Sequence, residues 1–379
     1  MTVVELPQRE RPPRVPFQVE VFSGGELAAA RWPSVTDPRD FRMYVFQSRE
    51  FLDVWLDTIG KAGRIEPYLI VVSEAGGRPV FYLPLAIETK FNVRLLRFMD
   101  CGVADYNAPI VAADRTLSRQ EFTALWRKIL SLLPAFDVID LKKIASDVAG
   151  AVNPLSYLPC TAFAQSGHLM SLGPLRDGAD NRRPVVRWRR KLAHYRERLS
   201  ESGKVHFVVN PSGAGLTDVT ERLLALKRQK YLSTGAADFL AEPGVERFYR
   251  EMMRPDRLGT IGHLSALTVD GVVASAHLGF VTPDRFYYIL PAYDDAFRRH
   301  RVGHLLLQHL IDRSAAQGLE TFDLGVGDNR YKNTWATDRL ALGSHERGVT
   351  AAGHLYLQMR RVRRLVAASG VRTWFRAAS

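Results

Sequence analysis

Three consecutive β-rich runs, Gly262 to Val269, Val272 to Val281 and Arg285 to Leu290, are parted only by Asp270-Gly271 and by Thr282-Pro283-Asp284. Turns this short join antiparallel neighbours, so the three runs form a meander. A loop, a helix from Val302 to Gln317 and a further strand from Thr321 to Val326 follow. The meander, crossover helix and further strand predict an α/β chain with a mixed, mostly antiparallel sheet and helices across it.

The last strand runs directly into a polar turn and a short helix, TFDLGVGDNRYKNTWA over residues 321–336. Gly325 and Gly327 free the backbone for a sharp exit that bulkier residues resist. Ligands of open α/β sheets sit beyond the carboxyl ends of the strands, which puts Asp328, Asn329, Tyr331, Lys332 and Trp335 where chemistry is usually found. A capped helix with a solvated charge pair is the alternative reading of the same residues.

At 379 residues and 46% hydrophobic the chain is long enough for two cores. Its formal charge of +12 calls for an anionic partner: coenzyme phosphates, a nucleic acid or an acidic membrane surface. The two cysteines, Cys101 and Cys160, have no metal-ligand spacing and no second pair. They point to a reducing compartment, a cytoplasmic protein and no metal.

Chain order divides the sequence as follows. Residues 1–35 read as a proline-rich, charged, disordered or extended lead, and residues 36–165 as a first lobe. That lobe opens on FRMYVFQSREFLDVWLDTIG, with Phe51, Val54, Trp55 and Ile59 on one helical face and Ser48 as its N-cap. Strands at Tyr68 to Ser73 and Pro79 to Glu88, parted by EAGGR, make a hairpin. The loop CGVADYNAPIV then carries Asp105, Tyr106 and Asn107 before a helix at Arg119 to Leu133. A loop both polar and aromatic either binds substrate or is a turn held by its own Asp and Asn side chains. Residues 166–184 are the connection and 185–350 a second lobe, opening on a helix with eight cations between Arg182 and Arg198. The two halves share an order of helix, strands, helix and strand. Residues 351–379 form a basic amphipathic helix and tail, with Leu355, Leu357, Met359, Val362, Leu365 and Val366 among six arginines. Such a helix packs its apolar side on the parent domain or lies on an anionic membrane surface.

The meander, the loop with Arg298 and Gly303 at a helix start, and the strand ending in a polar turn look like the GNAT acyltransferase fold. More narrowly, FDLGVGDNRYKNTW resembles the closing motif of the CelD-like acetyltransferases of cellulose and exopolysaccharide synthesis, relatives of the Fem-type peptidoglycan aminoacyltransferases. VFQSREFLDVWL, the DYNAP loop and RWRRKLAHYRERL extend the resemblance from about Phe41 to Ala341. It implies two GNAT-like lobes, each a mostly antiparallel sheet flanked by helices, with the acyl donor in the second.

What the resemblance implies is acyl transfer from acyl-CoA to an amine or hydroxyl of a sugar or small envelope intermediate. An acyl carrier protein is a second donor, and aminoacyl-tRNA is the Fem-type alternative. A catalytically inactive scaffold is the reading from another class. The donor would lie against Leu290, Pro291 and Ala292, where GNAT enzymes bind the thioester carbonyl, and against Arg298, Arg301, Val302, Gly303 and His304. Those residues depart from the family's (Gln or Arg)-x-x-Gly-x-(Gly or Ala), because Arg301 replaces the middle glycine. Tyr331 resembles a general acid and Lys332 the lysine beside the reacting carbonyl. Asp105, Tyr106, Asn107 and Trp335 would line the acceptor side. An alkyl amine with a pKa near 10.4 is neutral about once in several thousand at pH 7, so a base is needed. His277, in the apolar run SAHLGF, and Asp328 are the candidates, with a satisfied core histidine as the other reading of His277.

Overall fold

The computed structural model describes residues 17–37, 40–327 and 329–368. In the first lobe, β1 (Phe17–Ser23), β2 (Ile65–Glu74), β3 (Pro79–Lys90), β4 (Val93–Phe98) and β5 (Val138–Ala145) lie side by side in chain order. All neighbours are antiparallel except β4 and β5, which run parallel at Leu95 with Val138 and Leu96 with Ile139. Ser48 caps α1 (Arg49–Asp57) as expected, accepting from the Phe51 amide. The crossover helix α2 (Arg119–Leu132) starts on a capping box of Ser118 and Glu121, which satisfies two amide donors reciprocally.

After the connection come β6 (Gly167–Ser171), α3 (Arg183–Ser200), β7 (Val205–Val209), α4 (Gly213–Thr234) and α5 (Val245–Met252). The expected meander follows as β8 (Gly262–Val269), β9 (Val272–Val281) and β10 (Arg285–Tyr293). Asp270 and Gly271 both take positive φ, 48° and 80°, as a two-residue hairpin turn of the primed type demands. Helix α6 (Val302–Ala316) crosses over, and β11 (Thr321–Val326) returns parallel to β10. The second sheet runs β7-β8-β9-β10-β11-β6 and ends on β12 (Asp338–Leu340), with α7 (Arg330–Trp335) between β11 and β12. Two GNAT-like lobes are thus present, each a meander with one parallel strand beyond a crossover helix.

The sequence divisions shift in three places. Phe17–Ser23, read as part of the lead, is an edge strand on β2. The strand β6, read as connection, pairs antiparallel with β11. The strand β13 (Leu342–Gly348), read as part of the second lobe, pairs with β5 of the first. A helix-and-strand count cannot reveal this, because each lobe's parallel strand is completed by a segment from outside that lobe. An aromatic core also joins the lobes: Phe51 packs 5.0 Å from Phe248 and 5.6 Å from Phe280, and Phe46 5.4 Å from Tyr287, between ring centroids.

Candidate active site

The strands β10 and β11 are paired only from Arg285 with Thr321 to Tyr287 with Asp323, and beyond that point they part. The sequence forces the parting from both sides. On β10 the register against β9 slips by one residue, so that Leu278 faces Leu290 while Gly279 faces Tyr288, and Ile289 bulges. A β-carbon at Gly279 would run into the Tyr287 carbonyl, so the bulge requires glycine there. Pro291 has no N–H and cannot extend a ladder. On β11, Gly325 at φ 73° turns the chain away.

His277 holds the bulge. Its Nε2 accepts from the Ile289 amide at 3.2 Å, its ring stacks 4.2 Å from Tyr288, and it is 0% exposed. Burial holds it well below the usual imidazole range, so it stays neutral. With its lone pair engaged and no solvent path, His277 is a packed structural residue and not the expected base. The bulge amide is correspondingly occupied. The expected backbone oxyanion site at Leu290 to Ala292 is altered too: Leu290 and Ala292 pair with Leu278 and Ala276 on β9, and Pro291 offers only its carbonyl.

That carbonyl accepts from Lys227 Nζ on α4 at 3.5 Å. Burial, then the charge of Lys332, pushes the Lys227 ammonium down to about 8. Sequence reading missed Lys227, although it sits four residues after buried Leu223, where the apolar face of α4 should continue. Lys332 is buried and donates to the Val326 carbonyl at 2.7 Å. Tyr331, beside it, is pushed upward by burial first and Asp105 second, so its phenol keeps its proton. Asp328 lies outside the described residues.

The DYN loop of the first lobe reaches across to this point. Asp105 Oδ2 accepts from the Val326 amide at 2.9 Å, and a β-carbon at Gly325 would collide with that oxygen. The carboxyl is half-buried, and burial raises its pKa against the pull of Lys143, the Val326 amide and Lys332. Tyr106 and Asn107, expected on the acceptor side, are 0% and 2% exposed. The Tyr106 hydroxyl donates to Asp323 at 2.8 Å, and Asn107 Nδ2 donates to Asp100 at 3.1 Å and to the Lys142 carbonyl at 3.1 Å. Tyr106 thus fastens the first lobe to the second, and Asn107 holds its own loop within the first lobe. Trp335, also expected there, is 0% exposed in the core under α6. Three of the four expected acceptor residues are therefore packing residues, Tyr106 and Asn107 with their polar groups satisfied by protein and Trp335 by burial of its ring, and only Asp105 keeps partial exposure.

The start of α6 forms the other wall. Arg301 immediately precedes the helix at φ 55°, ψ 36°, the left-handed conformation that glycine adopts without cost. The arginine thus occupies a backbone conformation that glycine would hold without strain. Arg298 and Arg301 are exposed, while burial and the neighbouring Arg301 push His304 down to about 4. Amides at a helix start have no intrahelical acceptor, which suits Val302 and Gly303 to phosphate oxygens, whereas the His304 amide donates to the Arg301 carbonyl at 2.8 Å. The His304 ring meets Tyr331 edge-on at 5.8 Å and Trp188 of α3 at 5.2 Å. Along α3, exposed Arg183, Arg187, Arg190 and Lys191 make no ion pair among the described residues. Replacing Arg301 by Gly is expected to change folding stability by less than about 1 kcal/mol, since relief of the left-handed conformation and the added freedom of the unfolded chain oppose each other. Its effect on donor KM, read by steady-state kinetics, reports the contribution of the guanidinium separately from the backbone.

Residues 187–333 match the family model described as an acetyltransferase (GNAT) domain. Among solved structures, the chain is similar to FemX, with a TM-score of 0.53 and 10% identity, over 80% of this chain and 92% of that one. It is also similar to L-PGS from Bacillus licheniformis, at 0.47 and 11% over 83% and 96% of the two chains. A tandem GNAT protein from the clavulanic acid biosynthesis pathway matches at 0.44 and 14%, over 88% and 100%. No curated protein matches the sequence. With the parted strands, the crossover helix and the family match falling on one stretch of chain, residues 187–333 are a GNAT acetyltransferase domain in the second of two GNAT-like lobes, and the protein is an acyltransferase.

Proposed function

We propose that the protein transfers an acyl group from acyl-CoA to an amine or hydroxyl of a sugar or other small intermediate of envelope or exopolysaccharide synthesis. The observation that carries this reading is the convergence of Asp105, Lys227, Tyr331 and Lys332 where β10 and β11 part, one helix start away from Arg298 to His304. The acceptor class rests on the resemblance of FDLGVGDNRYKNTW to the CelD-like closing motif.

In this reading acyl-CoA supplies the thioester, its pyrophosphate held by the amides of Val302 and Gly303 and by Arg298 and Arg301, with His304 beside it. Asp105 is the base: its raised pKa brings it closer to the working pH, and the Val326 amide holds Oδ2, leaving the Oδ1 oxygen as the proton acceptor. Lys332 and Lys227 supply positive charge for the oxyanion, in place of the backbone amides that the bulge and Pro291 remove. Tyr331, kept protonated, donates to the leaving thiolate. Asp328 stays a candidate for a second carboxylate at the same exit.

Titration calorimetry with acetyl-CoA and longer acyl-CoAs tests the donor, and absence of binding by all of them would refute it. Lys332→Ala and Tyr331→Phe are expected to lower kcat by about 10²-fold or more with donor affinity changed far less. Wild-type turnover in both variants would sink the assigned chemistry. A second reading, transfer from aminoacyl-tRNA, is favoured by the exposed cations along α3 that make no ion pair among the described residues, whose charge suits phosphate backbones. Filter binding at low salt distinguishes it: no affinity for charged tRNA removes that reading.

A further inference from the structure

The closing helix α8 (Ala351–Ala368) is fastened to the first lobe by one face only. Thr350 caps it, accepting from the Gly353 amide at 3.1 Å and donating to Asp137 at 2.6 Å. A β-carbon at Gly353 would collide with the Asp137 carbonyl, so the backbones touch there. Tyr356 and Leu357 pack against Val93, Leu95 and Val138. Arg360 completes this face by pairing with Asp140 at 3.0 Å and with Glu346.

The opposite face is apolar and uncovered. Leu355, Met359 and Val362 follow the i, i+4, i+7 spacing of a single stripe and are 56%, 49% and 58% exposed. Leu365, 70% exposed, extends it. At about 100° per residue, Arg361 and Arg363 fall one on each flank of the stripe. Both are exposed, and neither makes an ion pair among the described residues. Beyond the helix the sequence continues Val371-Arg372-Thr373-Trp374-Phe375-Arg376, joining bulky aromatics to more cations.

We propose that α8 docks the protein on an anionic lipid bilayer, with the Leu355, Met359 and Val362 stripe in the headgroup boundary and Arg361 and Arg363 on lipid phosphates. An apolar stripe flanked by arginines is the pattern of a helix lying in a membrane interface, where apolar burial and attraction to anionic lipid act together. Charge favours lipid over a second copy of this chain: at +12 the copies repel, and the stripe's arginines would face each other. Among the described residues no helix is long and apolar enough to cross a membrane, so the contact is with the surface. An expectation that the helix simply packs on its parent domain therefore describes one face of it and leaves the other.

The test is co-sedimentation of the full chain with phosphatidylcholine vesicles, with and without phosphatidylglycerol, alongside sedimentation velocity without lipid. Wild type is expected to bind the mixed vesicles and to release them at high salt. The pair Arg361→Glu and Arg363→Glu should weaken partitioning by roughly 25-fold, about fivefold for each arginine removed. The pair Leu355→Gln and Met359→Gln should weaken it by about tenfold or more, without loss of thermal stability or of acyl-CoA turnover in solution. Absence of vesicle binding by wild type overturns the proposal, as does undiminished binding by both variants. So does a dimer in solution that the Leu355 and Met359 changes dissociate, because the stripe would then be a protein interface.

Discussion

Replacing Asp105 by Asn is expected to lower kcat by about 10²- to 10⁴-fold, the range over which a positioned general base acts. Stability should change by less than about 1 kcal/mol, because the Asn side-chain oxygen can still accept from the Val326 amide as Asp105 Oδ2 does at 2.9 Å. That separation makes the test clean: a carboxylate that only fastened β11 would be replaced by Asn without kinetic consequence. The pH profile supplies a second readout. Burial raises the Asp105 pKa, so wild-type kcat/KM should rise through an acid limb lying above the usual aspartate range, as the carboxyl loses its proton. An alkaline limb near 8 should follow as Lys227 loses its charge. Asn at position 105 should erase the acid limb and leave the alkaline one. Wild-type kcat in Asp105→Asn, with the acid limb intact, would move the base to another group.

Much of this arrangement was legible in the sequence, for a specific reason. Turn residues are local chemistry, so Asp270-Gly271 and Pro283-Asp284 fixed the meander, and Gly325 marked the exit from β11, where its φ of 73° is indeed needed. Buried polar residues were harder. His277, Tyr106 and Asn107 have the composition of a site, yet each one's partner lies elsewhere in the chain: the bulged amide of Ile289, the carboxylate of Asp323, the carboxylate of Asp100. Sequence displays the polar group and hides the partner that satisfies it. Lys227 is the opposite case, a cation on an apolar face four residues from Leu223 whose partner, the Pro291 carbonyl, lies on another element. The exchange of β6 and β13 between lobes left no local trace, since a strand's pattern does not name the sheet it joins.

Asp323 is the buried carboxylate that the first lobe's Tyr106 reaches, and its variants should separate charge from hydrogen bonding. The carboxylate is 0% exposed and accepts from the Tyr106 hydroxyl at 2.8 Å and the Gly325 amide at 2.9 Å, with Arg285 at 3.5 Å. Burial pushes it up to about 6, the opposing pull of Arg285, Tyr106 and Gly325 notwithstanding. The guanidinium of Arg285 does not rest on this partner alone, since it also lies over the rings of Tyr44 at 5.4 Å and Tyr287 at 5.7 Å. Asp323→Ala strips a buried hydroxyl and a buried amide of their acceptor and should cost about 3–5 kcal/mol, read from denaturant unfolding. Asp323→Asn keeps an acceptor for both donors and should cost less than half as much. The pH dependence fixes the sign. A carboxyl whose pKa is about 6 folded and about 3.9 unfolded binds its proton more tightly in the fold. Its contribution to stability is therefore greatest below about pH 4 and declines by roughly 2–3 kcal/mol as pH rises to about 6. Asp323→Asn, which mimics the protonated acid, should lack that decline and approach wild type at neutral pH. A cost of Asp323→Asn that grows with pH would mean that the ion pair with Arg285, and not the hydrogen bonds to Tyr106 and Gly325, supplies the stability at this carboxylate.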